Sequence, residues 1–198
     1  MKKSLTVSAT IVAAMLALAG CSTGTDGGSM PGMDHGDSMT TQAPVTVGEN
    51  NSADTMFAQM MIPHHTQAVE MSDIMLAKTG LDAKITALAT DIKAAQGPEI
   101  TKMTTWLGSW GEPTAMSGTM SMNGMMSAAD LEKLTAAQGN EASKLFLTQM
   151  IAHHEGAVEM AQSEVTGGKN ADAVALAKSI VASQESEIKD MKDLLAAL

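Results

Sequence analysis

The strongest constraint on this chain is that its second half repeats its first. Aligning Phe57 with Phe146 sets Met61-Ile62-Pro63-His64-His65-Thr66-Gln67-Ala68-Val69-Glu70-Met71 against Met150-Ile151-Ala152-His153-His154-Glu155-Gly156-Ala157-Val158-Glu159-Met160, and all but three of these pairs are identical. One residue is then dropped, after which Leu88-Ala89, Ile92, Gln96, Glu99-Ile100, Met103 and Leu107 meet Leu176-Ala177, Ile180, Gln184, Glu187-Ile188, Met191 and Leu195. A repeat of this length is one supersecondary unit used twice. Its residues are mostly Ala, Leu, Met, Lys, Gln and Glu, with apolar positions three and four apart, as along Ile85, Leu88, Ala89, Ile92 and Ala95. That period is helical.

Each copy therefore reads as an αα-hairpin, with helices expected over 53–79, 82–108, 128–166 and 171–197. The third has an alternative start near Asn140, because Gly139-Asn140 separates a short amphipathic piece, Ala128 to Gln138, from the repeat. Thr79-Gly80 and Gly167-Gly168 mark the hairpin turns, each expected to end its helix on a left-handed glycine, with Asp82 and Asp172 in the first turns that follow. Two hairpins, each with an apolar seam on both helices, bury those seams most simply as an all-α four-helix bundle.

The segments outside the bundle have other chemistry. Lys2 and Lys3 precede an apolar run, Leu5 to Ala19, that is too short for a membrane span and ends in Leu18-Ala19-Gly20-Cys21. Residues 1–20 read as an export signal, and the last four resemble a bacterial lipobox. That resemblance implies cleavage before Cys21, acylation of its thiol, and an exported protein lipid-anchored on the extracytoplasmic side of the envelope. Cys21 is the sole cysteine, so the processed chain has no free thiol, as suits an oxidising compartment. Residues 21–52 are rich in Gly, Ser, Thr, Asp and Pro and read as a flexible tether. The tether carries Met30, Met33, His35 and Met39, and this run resembles the Met/His-rich segments of exported copper-handling proteins. Between the hairpins, 111–127 holds Met116, Met120, Met122, Met125 and Met126. It is either a second strand of soft ligands or a crossover loop whose methionines cover one end of the bundle.

Composition narrows the partners. The chain has 22 acids, 12 lysines, no arginine and a net charge of -10, which argues against nucleic acid and for cations. Nineteen methionines in 198 residues are a bias that core packing alone need not produce. The two His-His pairs, at the best-conserved part of the repeat, are the candidate site. His64 has Met60 one turn before it and Met71 two turns after, and His65 has Met61 one turn before. In the second copy Met150 precedes His154 by four and Met160 follows His153 by seven, so imidazole and thioether share helix faces in both halves. If the hairpins pack with pseudo-twofold symmetry, up to four imidazoles and several sulfurs can approach one or two ions.

Imidazole suits several transition metals, and thioether selects copper, with Cu(I) favoured and Cu(II) also accessible. Zinc sites more often recruit Cys, Asp or Glu, and no His-Glu-x-x-His spacing is present. A di-iron bundle needs Glu-x-x-His pairs, yet Met61, Ile62, Met150 and Ile151 stand three before the histidines. Glu70 and Glu159 fall off the histidine face and read as supporting or surface acids. With no phosphate loop, nucleophile elbow or Ser-His-Asp set, no enzyme is expected, and a catalytic reading would rest on redox cycling alone. The competing reading makes the histidines packing residues of a structural or partner-binding lipoprotein. The sequence names no protein partner.

Met-Ile-Pro-His-His-x-Gln-Ala-Val-Glu-Met and its second copy, with Trp106-Leu107 and Trp110-Gly111 closing the first hairpin, resemble the paired signatures of the family called domain of unknown function 305 over about Ala53 to Leu198. The resemblance implies a ferritin-like helical bundle in exported bacterial proteins, some of which bind copper and protect cells against it. It implies ligands at His64, His65, His153 and His154 with neighbouring methionines.

Overall fold

In a computed structural model, which describes residues 49–116 and 122–198, five helices account for nearly all the regular structure. They are α1 (Ser52–Leu76), α2 (Ala83–Trp110), α3 (Ala128–Ala136), α4 (Gly139–Gly167) and α5 (Ala171–Ala197). The expected helix over 128–166 is thus two helices. The chain breaks at Ala137 and Gln138, both extended, and Gly139 follows at a φ of 54°, which matches the interruption read at Gly139-Asn140. Gly80 takes the left-handed conformation expected of it, at φ 73°. Gly168 does not: its φ is -69°, and α4 instead gives way to an extended residue. Asp82 caps α2, its carboxylate accepting from the Lys84 amide at 2.7 Å, rather than lying in the first turn. Asn170 caps α5 in the same way, with Asp172 in the first turn as expected.

α1 packs on α2, α4 packs on α5, and the two hairpins meet through α1 and α4. Their apolar residues sort into two clusters. One joins Met71 and Met75 of α1, Ile85 and Ile92 of α2, Phe146 and Met150 of α4, Met191 of α5 and Leu134 of α3. The other joins Phe57 and Met61 of α1, Met103 and Leu107 of α2, Ala157 and Ala161 of α4, and Ile180 of α5. Along each helix the two clusters take opposite halves, so α1 runs antiparallel to both α2 and α4, and α4 runs antiparallel to α5. The paired histidines lie in sequence between the two clusters on both α1 and α4. No described helix is long and apolar enough to cross a membrane.

One end of the bundle is fastened by a buried acid. Asn51 and Asp54 form a capping box at the start of α1. The Asp54 carboxylate also accepts from the Lys169 and Asn170 amides at 3.0 and 2.9 Å, tying α1 to the α4–α5 turn. Burial alone would raise the Asp54 pKa, but hydrogen bonds from Glu164 and from the Asn51, Asn170 and Lys169 amides outweigh it and lower the value. Its neighbour Glu164 is buried, and no donor reaches either of its oxygens. Burial first, and then the hydrogen bond and charge of Asp54, push the Glu164 pKa up to about 8.

Candidate metal centre

The repeat brings all four paired histidines into the interior. His64, His65, His153 and His154 are each at most 1% exposed. The rings of His64 and His153 meet across the α1–α4 interface with centroids 3.7 Å apart and planes at 41°. His65 and His154, about 100° further round their helices, turn to the outer helix of their own hairpin. There the His65 Nε2–H donates to Glu99 of α2 at 2.8 Å, and the His154 Nε2–H donates to Glu187 of α5 at 2.6 Å. These pairs occupy equivalent positions of the two copies, so the pseudo-twofold arrangement expected from the sequence is present in side-chain detail.

The hydrogen bonds settle which ring nitrogens remain available. His64 donates from Nε2 to the Asn123 carbonyl at 3.3 Å. That leaves Nδ1 of His64, His65 and His154 buried with no protein partner, and His153 has no partner at either nitrogen. Burial, then the charge of His65, depresses the His64 pKa to about 3, against the Asn123 carbonyl, which pulls it the other way. Burial, then the charges of His64, His154 and His65, holds His153 at about 2. Both rings are therefore neutral at physiological pH, and each keeps a nitrogen lone pair. Orphaned buried polar atoms are expensive, and a neutral imidazole lone pair is a common ligand of transition metals. Glu99 and Glu187 supply the carboxylate partners that commonly orient metal-binding imidazoles and raise their basicity. Among the described residues no three His, Cys, Asp or Glu side chains are grouped so that they could hold a metal ion.

Glu99 and Glu187 were not among the acids singled out from the sequence, although the repeat aligns them with one another. Spacing from the histidines within α1 and α4 could not reveal them, because they come from the neighbouring helices. Glu70 is exposed, and Glu159 accepts from the Asn123 side chain at 2.9 Å. The candidate methionines divide into two groups. Met61, Met71 and Met150 are fully buried within the apolar clusters. Met60 and Met160 are half-buried and line a cavity together with Met122. Met30, Met33, His35, Met39 and Cys21 lie outside the described residues.

The crossover loop closes the site from outside, and it does so at the positions where the repeat is not identical. Gly156 admits the Asn123 carbonyl, since a Cβ there would stand 2.0 Å from that oxygen. Gly124, at φ 82°, lies so close to Ala152 that a Cβ would come within 2.5 Å of its carbonyl. Gln67, the counterpart of Gly156, clamps the loop by accepting from the Met126 amide at 2.7 Å and donating to the Met126 carbonyl at 2.9 Å. One copy thus supplies room for the loop and the other supplies a clamp.

Fold and site together define a class: a duplicated αα-hairpin protein with four buried histidines, one from each half meeting at the interface. The chain belongs to the DUF305 family, a domain of unknown function, whose profile matches residues 54–195. It is similar to a solved DUF305 protein from Streptomyces coelicolor at 39% identity, covering 74% of this chain and 93% of that one with a TM-score of 0.71. A DUF305 fragment from Deinococcus radiodurans is similar at 31% identity, with coverages of 75% and 98% and a TM-score of 0.68. CopM in its Cu(I)-bound form is similar at 34% identity, with coverages of 73% and 96% and a TM-score of 0.62. CopM has also been solved with Cu(II) and with silver. No match was found among curated proteins.

Proposed function

We propose that this protein is an extracytoplasmic lipoprotein that binds copper for sequestration, tolerance or delivery, and that it is not an enzyme. The observation that carries the reading is the contact between His64 and His153, whose rings meet across the α1–α4 interface with buried, unpartnered nitrogens. Low coordination numbers and neutral soft donors suit Cu(I), and copper is the ion that accommodates imidazole and thioether together. The similarity to CopM in copper-bound and silver-bound forms supports the same chemistry. Anchoring at Cys21 and export rest on the lipobox resemblance of residues 18–21.

A second reading makes the histidines structural ties. The bonds of His65 to Glu99 and of His154 to Glu187, each joining two helices, favour it. Titration of the protein with Cu(I) under chelator competition separates the two. Replacing all four histidines by Gln removes the tightest equivalents if they are ligands. If wild type and variant bind alike, the histidines hold helices and the copper reading of this site fails.

A further inference from the structure

The methionines around the crossover loop differ from those of the core in one physical respect. Met61, Met71, Met103, Met150 and Met191 are fully enclosed by apolar neighbours, where a thioether serves as an adaptable filler. Met60 of α1, Met122 of the loop and Met160 of α4 are instead half-buried around one cavity of about 240 Å³ that also receives Glu159. A packing methionine gains by hiding its sulfur, whereas these three leave a shared space accessible to a small solute. Met60 and Met122 also line an adjoining cavity of about 590 Å³ with Met116 and Met125, so the thioether surface continues outward.

The cavity is fixed by the fold rather than by chance side-chain placement. Met122 is delivered by the loop that Gly156 admits and Gln67 clamps. Asn123 stands between this cavity and the histidines: its carbonyl accepts from His64, while its side chain donates to Glu159. Three neutral sulfurs select a soft monovalent ion and offer little to a harder divalent one. The Glu159 carboxylate, held at the wall by Asn123, supplies the compensating negative charge.

We propose that Met60, Met122 and Met160 form a second, surface site for a soft monovalent cation, Cu(I) or Ag(I), separated from the buried imidazoles by Asn123. The proposal deepens the copper-binding reading, on which its biological meaning rests, but its donors are its own. It is tested on the full chain labelled with methyl-13C methionine and 15N histidine and titrated with Ag(I), a redox-silent probe, the methyl signals being assigned from single Met→Leu variants. The expected result is that the Met60, Met122 and Met160 methyls shift together and that Zn(II) leaves them in place. The M60L/M122L/M160L variant, which keeps apolar bulk, binds one equivalent of Ag(I) fewer. Methyl signals that stay still, that move equally with Zn(II), or an unchanged stoichiometry in the triple variant overturn the site. Should the triple variant fail to fold, the wild-type methyl titration decides. Methyl shifts with silent histidine rings sink the imidazole reading and leave this one standing, and the reverse pattern does the opposite.

Discussion

Replacing Gly156 by Ala tests whether the loop is seated by a deliberate gap in α4. On an isolated helix the change is favourable by about 1 kcal/mol, because alanine is the better helix former. Here the new Cβ would lie 2.0 Å from the Asn123 carbonyl oxygen and 2.6 Å from its carbon, where ordinary contact begins at 3.4 Å. The loop must retreat by more than an ångström. That movement breaks the bond from His64 to Asn123, leaving a buried imidazole N–H unsatisfied at roughly 1–3 kcal/mol, and strains the one from Asn123 to Glu159. Set against the propensity gain, the net loss is about 0–2 kcal/mol. Gly108 is the control: it also lies within a helix, but nothing stands within 4 Å of its Cβ position. Gly108→Ala should therefore stabilise by up to about 1 kcal/mol. Urea unfolding of both variants gives the comparison, and hydrogen exchange at residues 122–126 should rise in Gly156→Ala alone. A Gly156→Ala protein as stable as Gly108→Ala, with the loop still protected, would refute the argument.

Two further outcomes follow from acids that contact other titratable side chains. Glu99→Gln and Glu187→Gln keep an acceptor for His65 and His154 but remove the charge that raises imidazole basicity, so each should weaken Cu(I) binding by roughly 10-fold or more in a chelator-competition titration; unchanged affinity would detach these acids from the site. Folding lifts the Glu164 carboxyl from 4.5 to about 8, so between those values the folded chain holds a proton that the unfolded chain has released. The resulting stabilisation is complete below pH 4.5 and is lost as pH rises through 8, at no more than about 1.4 kcal/mol per pH unit. Glu164→Gln should lose that slope in melts run from pH 5 to 9, and parallel curves for variant and wild type would show that Glu164 does not titrate in this way.

Helix content, hairpin pairing and the meeting of one histidine from each copy were legible because all three are written in the repeat. Identical residues at identical spacing in two copies imply equivalent neighbours, and the contact between His64 and His153 is where the copies touch. The break at Gln138 and Gly139 was legible only as an alternative, since α3 has its own N-cap in Ser127 and just one fully buried anchor, Leu134. Glu99 and Glu187 were hidden for a different reason. Ligand spacing within one helix reports what shares its face, whereas these carboxylates reach the histidines from α2 and α5, and only packing brings them there. The methionines showed the limit of periodicity. Met60 and Met61 are adjacent in sequence, yet one rims an open cavity and the other fills the core.

The departures from the repeat carry as much information as the identities. In a symmetric dimer of hairpins both faces of the α1–α4 interface would be alike, and a single connecting segment can cover only one of them. Covering it requires the two copies to differ under the loop. The unlike pair Gln67 and Gly156 meets that requirement, one side chain holding Met126 and the other absent where Asn123 comes in. A second unlike pair nearby, Pro63 against Ala152, fits the same logic from the other side. Pro63 is exposed and lines the loop-covered cavity, where a missing backbone N–H costs α1 one helical bond. Ala152 keeps an ordinary helical backbone whose carbonyl Gly124 can approach. Asymmetry in the connection thus leaves the two near-identical hairpins sharing one buried histidine contact, while methionines gather on the face that the loop covers.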